Sequence, residues 1–227
     1  MSDAAASSAA RAEILARIRA ARSVVPSAGT GPSAVTEPEP PVVTVPRDYR
    51  GPGAAAGASL ADLLADRLAD YGALVRRSPA AGAPAAIAAV LRERAARRVA
   101  VPAGLPADWI AALPEPWPDQ PRLDIAELAA VDAVITSVTV AIAQTGTLVL
   151  DHGPGQGRRE LTLVPDAHLA LVTPGRIVAA VPDAVAALDA RSPLTWISGP
   201  SATSDIELNR VQGMHGPRTL IVIILDG

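Results

Sequence analysis

The sequence predicts an α/β domain built on a mixed sheet and preceded by a helical arm. Two observations carry this. From Ser59 to Ala130, helical and strand patterns alternate, the order that lays helices against a parallel sheet. After Ala130, short apolar runs follow one another with gaps too short for helical crossovers, so some of these strands must pair antiparallel. The chain divides accordingly into an N-terminal helical arm (1–22), a Pro/Gly-rich linker (23–58) and an α/β domain (59–227).

Residues 7–22 predict a helix with Ile14, Leu15 and Ile18 on one face and arginines around it. Pro26, Pro32, Pro38, Pro40, Pro41, Pro46 and Pro52 then forbid a continued helix, which marks the linker. The arm is either a tail or a segment that docks on a partner or a second copy. Ser59 and Asp62 are spaced like a capping box, Leu60, Leu63, Leu64, Leu68 and Tyr71 form an apolar stripe, and Gly72 ends the helix. Ala73 to Arg77 is a strand. Pro84 opens a second helix that buries Ile87, Val90 and Leu91, and arginines crowd its last turns, where the helix dipole favours cations. Val99 to Val101 is a strand, Pro106 to Leu113 a short helix, and EPWPDQP a connection. VDAVITS, VTVAIA, GTLVLD, ELTLV, HLALVT and GRIVAAV predict a strand-dominated region. A helix from Pro182 to Ala190, the strand TWIS and the strand RTLIVIIL complete the domain.

Composition narrows the function. A net charge of −3 gives no basic footprint for nucleic acid or anionic membrane. No cysteine is present, which removes a thiolate nucleophile, Cys-ligated zinc and a Cys-held iron–sulfur cluster. The N-terminus lacks a secretory signal pattern and the longest apolar run, Leu220 to Leu225, is too short to span a bilayer, so the expected location is the cytoplasm. The three histidines, His152, His168 and His215, have no metal-type spacing, so no metal is expected.

Several segments could carry chemistry. Thr145-Gly146-Thr147 joins two strands; its hydroxyls can donate to an anion, or the threonines can simply bond their own turn. Gly199-Pro200-Ser201 follows a strand end, the usual place for ligands in open α/β sheets, and Ser201 and Thr203 add hydroxyls that could equally cap a following element. Asp205 and Glu207 would share a face on an extended chain and diverge on a helix. His215, bracketed by glycines in GMHGP, suits proton transfer near neutral pH or a structural bond to backbone. The Gly-rich segment 151–160 lacks a P-loop ending; it is either a lid bringing Arg158 or Arg159 to an anion or an ordinary hairpin loop.

Three stretches together carry a family resemblance: VDAVITSVTVAIAQTGTLVL, LVPDAH and ISGPSATSDIELNRVQGMHGPRTLIVIIL. In this order and spacing they resemble the lactate utilization protein C (LutC/YkgG, LUD domain) family, over roughly two-fifths of the chain. The resemblance implies a fold of the NagB/RpiA/CoA-transferase type and an accessory, non-redox subunit in oxidation of L-lactate to pyruvate. Iron–sulfur clusters would then sit only on LutA/LutB-type partner proteins, with no cofactor on this chain. A small anionic ligand and a homodimer stay open. The competing reading is a stand-alone enzyme on that fold acting on a sugar phosphate, folate or CoA-type substrate, with His215 and Asp205 as the catalytic pair and Thr145, Gly146, Thr147, Arg158, Gly199, Ser201, Thr203 and Glu207 as ligand contacts. Two departures matter. Gln144 stands where the family commonly has a carboxylate, which removes a covalent CoA-transferase mechanism there. Ala202 replaces a basic or amide residue and with it one anion contact.

Overall fold

The computed structural model of the chain describes residues 11–20, 59–203, 211–212 and 216–226. By contacts the chain divides into two units, 1–47 and 48–227. In the first, residues 11–20 form α1, in which Glu13 and Arg17 pair across one turn at 2.5 Å and Ile14, Leu15 and Ile18 are exposed. The remainder of the expected arm and the linker lie outside the described residues.

The second unit runs α2 (Leu60–Asp70), β1 (Leu74–Pro79), α3 (Ala83–Glu93), β2 (Arg98–Val101), α4 (Ala107–Ala111), β3 (Glu115–Pro118), α5 (Ile125–Ala130) and β4 (Ala133–Ser137). It continues with β5 (Val140–Ile142), β6 (Thr147–Leu150), β7 (Ala167–Val172), β8 (Ile177–Val178), α6 (Val181–Ala187), β9 (Thr195–Ile197), β10 (Ala202–Thr203), β11 (Val211–Gln212) and β12 (Thr219–Asp226).

The expected single mixed sheet is resolved into separate sheets. Six strands, in the order β1-β12-β7-β4-β2-β3, pair entirely parallel. A second sheet of order β8-β5-β6-β9 holds the antiparallel β5–β6 and β6–β9 pairs, and in it only β5 and β8 run parallel. The cause is the two-residue gap between β4 and β5: it is too short to return the chain to its own sheet, so it turns the chain out into a new one. β10 and β11 form a short antiparallel ladder of their own.

Alternation along the central strands assigns the two faces of the large sheet. Leu169, Leu171, Ile221 and Ile223 pack with Ile87 and Leu91 of α3 and Trp109 of α4. Ala170, Val172, Leu220, Val222 and Ile224 face the other way, against Leu64 and Leu68 of α2 and Leu148 and Leu150 of β6. The four-stranded sheet thus covers the large sheet with one side, and its other side takes Ala184 of α6 against Val140, Ile142 and Val149. Ala100 and Val134 pack under Leu128 of α5 and Leu161.

Local sequence chemistry explains where expectation and structure part. Ser59 makes no side-chain cap, and the Asp62 carboxylate, which a capping box would turn back to the Ser59 amide, instead accepts from the Arg77 guanidinium. EPWP is not merely a connection: it forms β3, which a strand with Pro116 and Pro118 can do because it lies at the sheet edge, paired only with β2. ELTLV holds no strand; Arg159–Thr162 is a 3₁₀ turn in which Thr162 Oγ1 bonds the Arg159 carbonyl at 3.2 Å, and this local bond competes with a ladder. α5, unexpected from the pattern, starts at a full capping box of Asp124 and Glu127. α6 stops at Ala187, three residues early, where Leu188 turns extended.

Candidate functional site

A cleft of about 270 Å³ opens where β9 of the small sheet meets the amino ends of β7 and β12 of the large one. Its polar lining comes from Arg159, Thr162, His168, Ser198 and Ser201, and its apolar lining includes Ile197, Pro200 and Leu220. Three turns distant in sequence meet here. Thr147 Oγ1 lies 2.8 Å from Ser198 Oγ, and Ser201 N–H donates to the Pro217 carbonyl at 2.9 Å. The described parts of the turns at 198–201 and 216–217 therefore form one connected rim, and the turn at 145–147 backs it through Thr147.

His168 is the floor. It is 2 % exposed, the second residue of β7, with Nε2 2.7 Å from Thr136 Oγ1. Register explains the pairing: Val134 of β4 stands opposite His168, so Thr136, two residues on, falls on the same face. Burial, with a smaller push from the Arg159 charge, lowers the His168 pKa to about 4, so the ring is neutral at pH 7. Arg159 reaches the cleft from the 3₁₀ turn, steadied by Nη1 donating to Thr162 Oγ1 at 2.9 Å. It has no carboxylate partner among the described residues. Thr162 is itself buried.

The sequence-derived candidates fall in several places. Gly199 and Ser201 line this cleft. Gly199 has φ +91° and sits so close to Tyr71 that a Cβ would lie 2.8 Å from the Tyr71 Cβ, which fixes the turn against the end of α2. Thr145, Gly146 and Thr147 are placed behind the rim. Thr145 Oγ1 and Thr147 Oγ1 are 2.8 Å apart, and Gly146, at φ +59°, abuts the backbone of Arg67. Their hydroxyls extend from the rim through Ser198 and do not themselves line the cleft. Arg158 points away: its Nε and Nη2 donate to Asp119 at 2.9 and 3.0 Å, and Nη2 also donates to the Leu123 carbonyl. The arginine facing the cleft is its neighbour, Arg159. Thr203 lies in β10, and Asp205, Glu207 and His215 lie outside the described residues.

Segment 151–160 is fastened down rather than poised as a lid. Gln156 Oε1 accepts from the Asp151 and His152 amides and its Nε2 donates to Thr139; His152 bridges the Gly157 carbonyl and Thr195 Oγ1 at 2.9 and 2.8 Å. Gly155 donates to the Ala103 carbonyl at 2.7 Å and accepts from Ser137 N–H at 2.8 Å, so its backbone bridges the carboxyl ends of β2 and β4. Strand order reverses there, the position at which open sheets ordinarily admit ligands. A cleft beside this bridge carries Asp151 together with Arg176, so its formal charges cancel. The cleft at His168 keeps an arginine that no lining carboxylate offsets.

Sequence reasoning gave no role to His168 or Thr136. The available signal was the histidine of LVPDAH at the mouth of an apolar strand; only the sheet register brings Thr136 to it.

Residues 83–225 match the LUD domain family. A lactate utilization protein C from Deinococcus radiodurans is 48% identical over 181 residues, covering 78% of this chain and 84% of that one. A protein of the same name from Bacillus pumilus is 33% identical over 113 residues, 46% of each chain. The crystal structure of a DUF162 family protein from Deinococcus radiodurans superposes with a TM-score of 0.64 at 43% identity, covering 75% of this chain and all of that one. Among the described residues no helix is long and apolar enough to cross a membrane.

Proposed function

The chain belongs to the LUD domain family, and from that membership we propose that it is an accessory, non-redox subunit in the oxidation of L-lactate to pyruvate, working in the cytoplasm beside iron–sulfur partner proteins. The observation that carries the reading is the 48% identity to a lactate utilization protein C across most of both chains. Converting lactate to pyruvate removes two electrons and two protons, and the electrons need a redox centre. This chain has no cysteine with which to hold an iron–sulfur cluster, so the clusters belong on partners and this subunit supports them. The two-sheet body is read as a relative of the NagB/RpiA/CoA-transferase folds. Gln144, exposed at the end of the β5 hairpin arm, leaves that position without a nucleophilic carboxylate, which favours a supporting over a CoA-transferring role.

The test is affinity capture of the tagged chain from the organism that encodes it, with mass spectrometry and iron analysis of the captured material. Co-capture of iron-containing proteins, together with a growth defect on L-lactate when the gene is deleted, is the expected result. Capture of no iron-containing protein and unimpaired growth on L-lactate would overturn it.

A further inference from the structure

We infer that the cleft at the meeting of β7, β9 and the Gly216-Pro217 turn receives a small monocarboxylate, gripped by the Arg159 guanidinium and by the Nδ1–H of His168. This deepens the preceding reading, on which it rests for treating the cleft as a ligand site; the geometry supplies the ligand class.

The proton inventory of a buried pair decides the donor. Thr136 is fully buried, and its hydroxyl hydrogen must go to an acceptor. Among the described residues the contact it makes is His168 Nε2, at 2.7 Å. If Nε2 carried the ring hydrogen, that bond would run from histidine to threonine and the threonine O–H would be left buried with no acceptor. If Thr136 donates instead, Nε2 is the lone-pair nitrogen and the ring hydrogen resides on Nδ1. Nδ1 has no partner among the described residues, yet no buried side-chain nitrogen or oxygen among them lacks one. Nδ1 must therefore reach the cleft that His168 lines. The result is a donor aimed into the space that Arg159 borders.

Charge selects the class. With the ring neutral, Arg159 is the one formal charge on the described lining. A carboxylate matches it, whereas a phosphate dianion would leave a negative charge uncompensated in a partly desolvated site. Planar guanidinium also suits the flat carboxylate. Ser198 offers a hydroxyl for a polar substituent, and Ile197, Pro200 and Leu220 accept a short alkyl group.

Calorimetric titration of the full chain at pH 7 and fixed ionic strength with sodium L-lactate, sodium pyruvate and inorganic phosphate tests the assignment. Expected are saturable binding of both carboxylates, phosphate at least tenfold weaker, and a loss of about tenfold or more in carboxylate affinity in Arg159→Gln, as befits a charge-assisted bond. His168→Gln, which keeps an acceptor for Thr136 but withdraws the Nδ1 donor, should show a comparable loss. Nitrogen-15 NMR of the unmodified protein provides a readout that no variant's folding can obscure: His168 should be protonated at Nδ1. Absence of carboxylate binding, phosphate binding as tightly, indifference to Arg159→Gln, or an Nε2-protonated ring would each overturn the inference. Co-capture of iron-containing proteins by a chain that binds no carboxylate would discard this ligand and leave the subunit role standing.

Discussion

At the scale of single residues, burial of His168 ties stability to pH. Its folded pKa is about 4 against an ordinary 6.5, so between these values the unfolded chain binds a proton that the folded chain refuses. Stability must therefore fall as pH drops from 6.5 toward 4, and the histidine contributes no such loss above 6.5. The shift corresponds to on the order of 3 kcal/mol across that window. Urea unfolding at pH 7 and pH 4 should show that much less pH-dependence in His168→Gln than in the unmodified chain; equal slopes would show that the ring is not held neutral. Arg158 and Asp119 make the complementary case. Their side chains are only 17% and 12% exposed and are doubly bonded, and Asp119 keeps a low pKa despite burial because Arg158 and the Leu123 amide hold its charged form. Asp119→Ala should cost about 2 kcal/mol by removing the doubly bonded partner of Arg158, which keeps Glu160 at 3.4 Å and the Leu123 carbonyl, with Arg158→Met/Asp119→Leu recovering much of the loss, as measured by denaturant midpoints. Sequence could not separate Arg158 from Arg159: side-chain direction in a loop follows no period, and the partner that claims Arg158 lies 39 residues away.

Elements were more legible, because helix and strand periods are written locally. The stripe that ends at Gly72 becomes α2, which closes with Gly72 N–H to the Ala69 carbonyl and Ala73 N–H to the Leu68 carbonyl. Elements whose signal is a partner rather than a period were missed, such as edge strand β3 with its prolines. α5 was readable from D-x-x-E at Asp124 and Glu127, but only six residues long it offers little periodicity. α3 ends by the same device as α2 with Ala95 in the left-handed position, φ +52°. Glycine there should be better: Ala95→Gly is expected to raise stability by about 1 kcal/mol, visible as a higher thermal midpoint. Gly146 gives the opposite expectation. An added Cβ would lie 2.8 Å from Arg67 backbone as well as sit at positive φ, so Gly146→Ala should cost more than Gly72→Ala, whose Cβ would meet nothing within 4 Å. About 1 kcal/mol for Gly72→Ala and at least twice that for Gly146→Ala would fit. Equal costs would mean that α2 yields and does not fix the rim of the cleft.

At the scale of the whole 59–226 body, the question is whether two sheets behave as one unit. Sequence showed strands of two characters but not their separation, since which strand pairs with which is decided by contacts far apart in the chain. Those contacts make one core: Leu148 and Leu150 of the small sheet share a buried cluster with Ala170, Val172, Val222 and Ile224 of the large sheet and with Leu64 and Leu68. A sheet that buries its inner face in this way cannot melt without exposing the other, so unfolding should be a single transition by far-ultraviolet and tryptophan signals alike. Leu148, fully buried, is the place to test it. Leu148→Ala should cost about 3 kcal/mol and lower both signals together, since the cavity it leaves belongs to both sheets. The cleft depends on the same coupling, because its floor is on β7 and its wall follows β9. If Leu148→Ala instead loosens the tryptophan signal of Trp196 on β9 while the large sheet melts unchanged, the sheets are independent and no cleft between them is preorganised for a ligand.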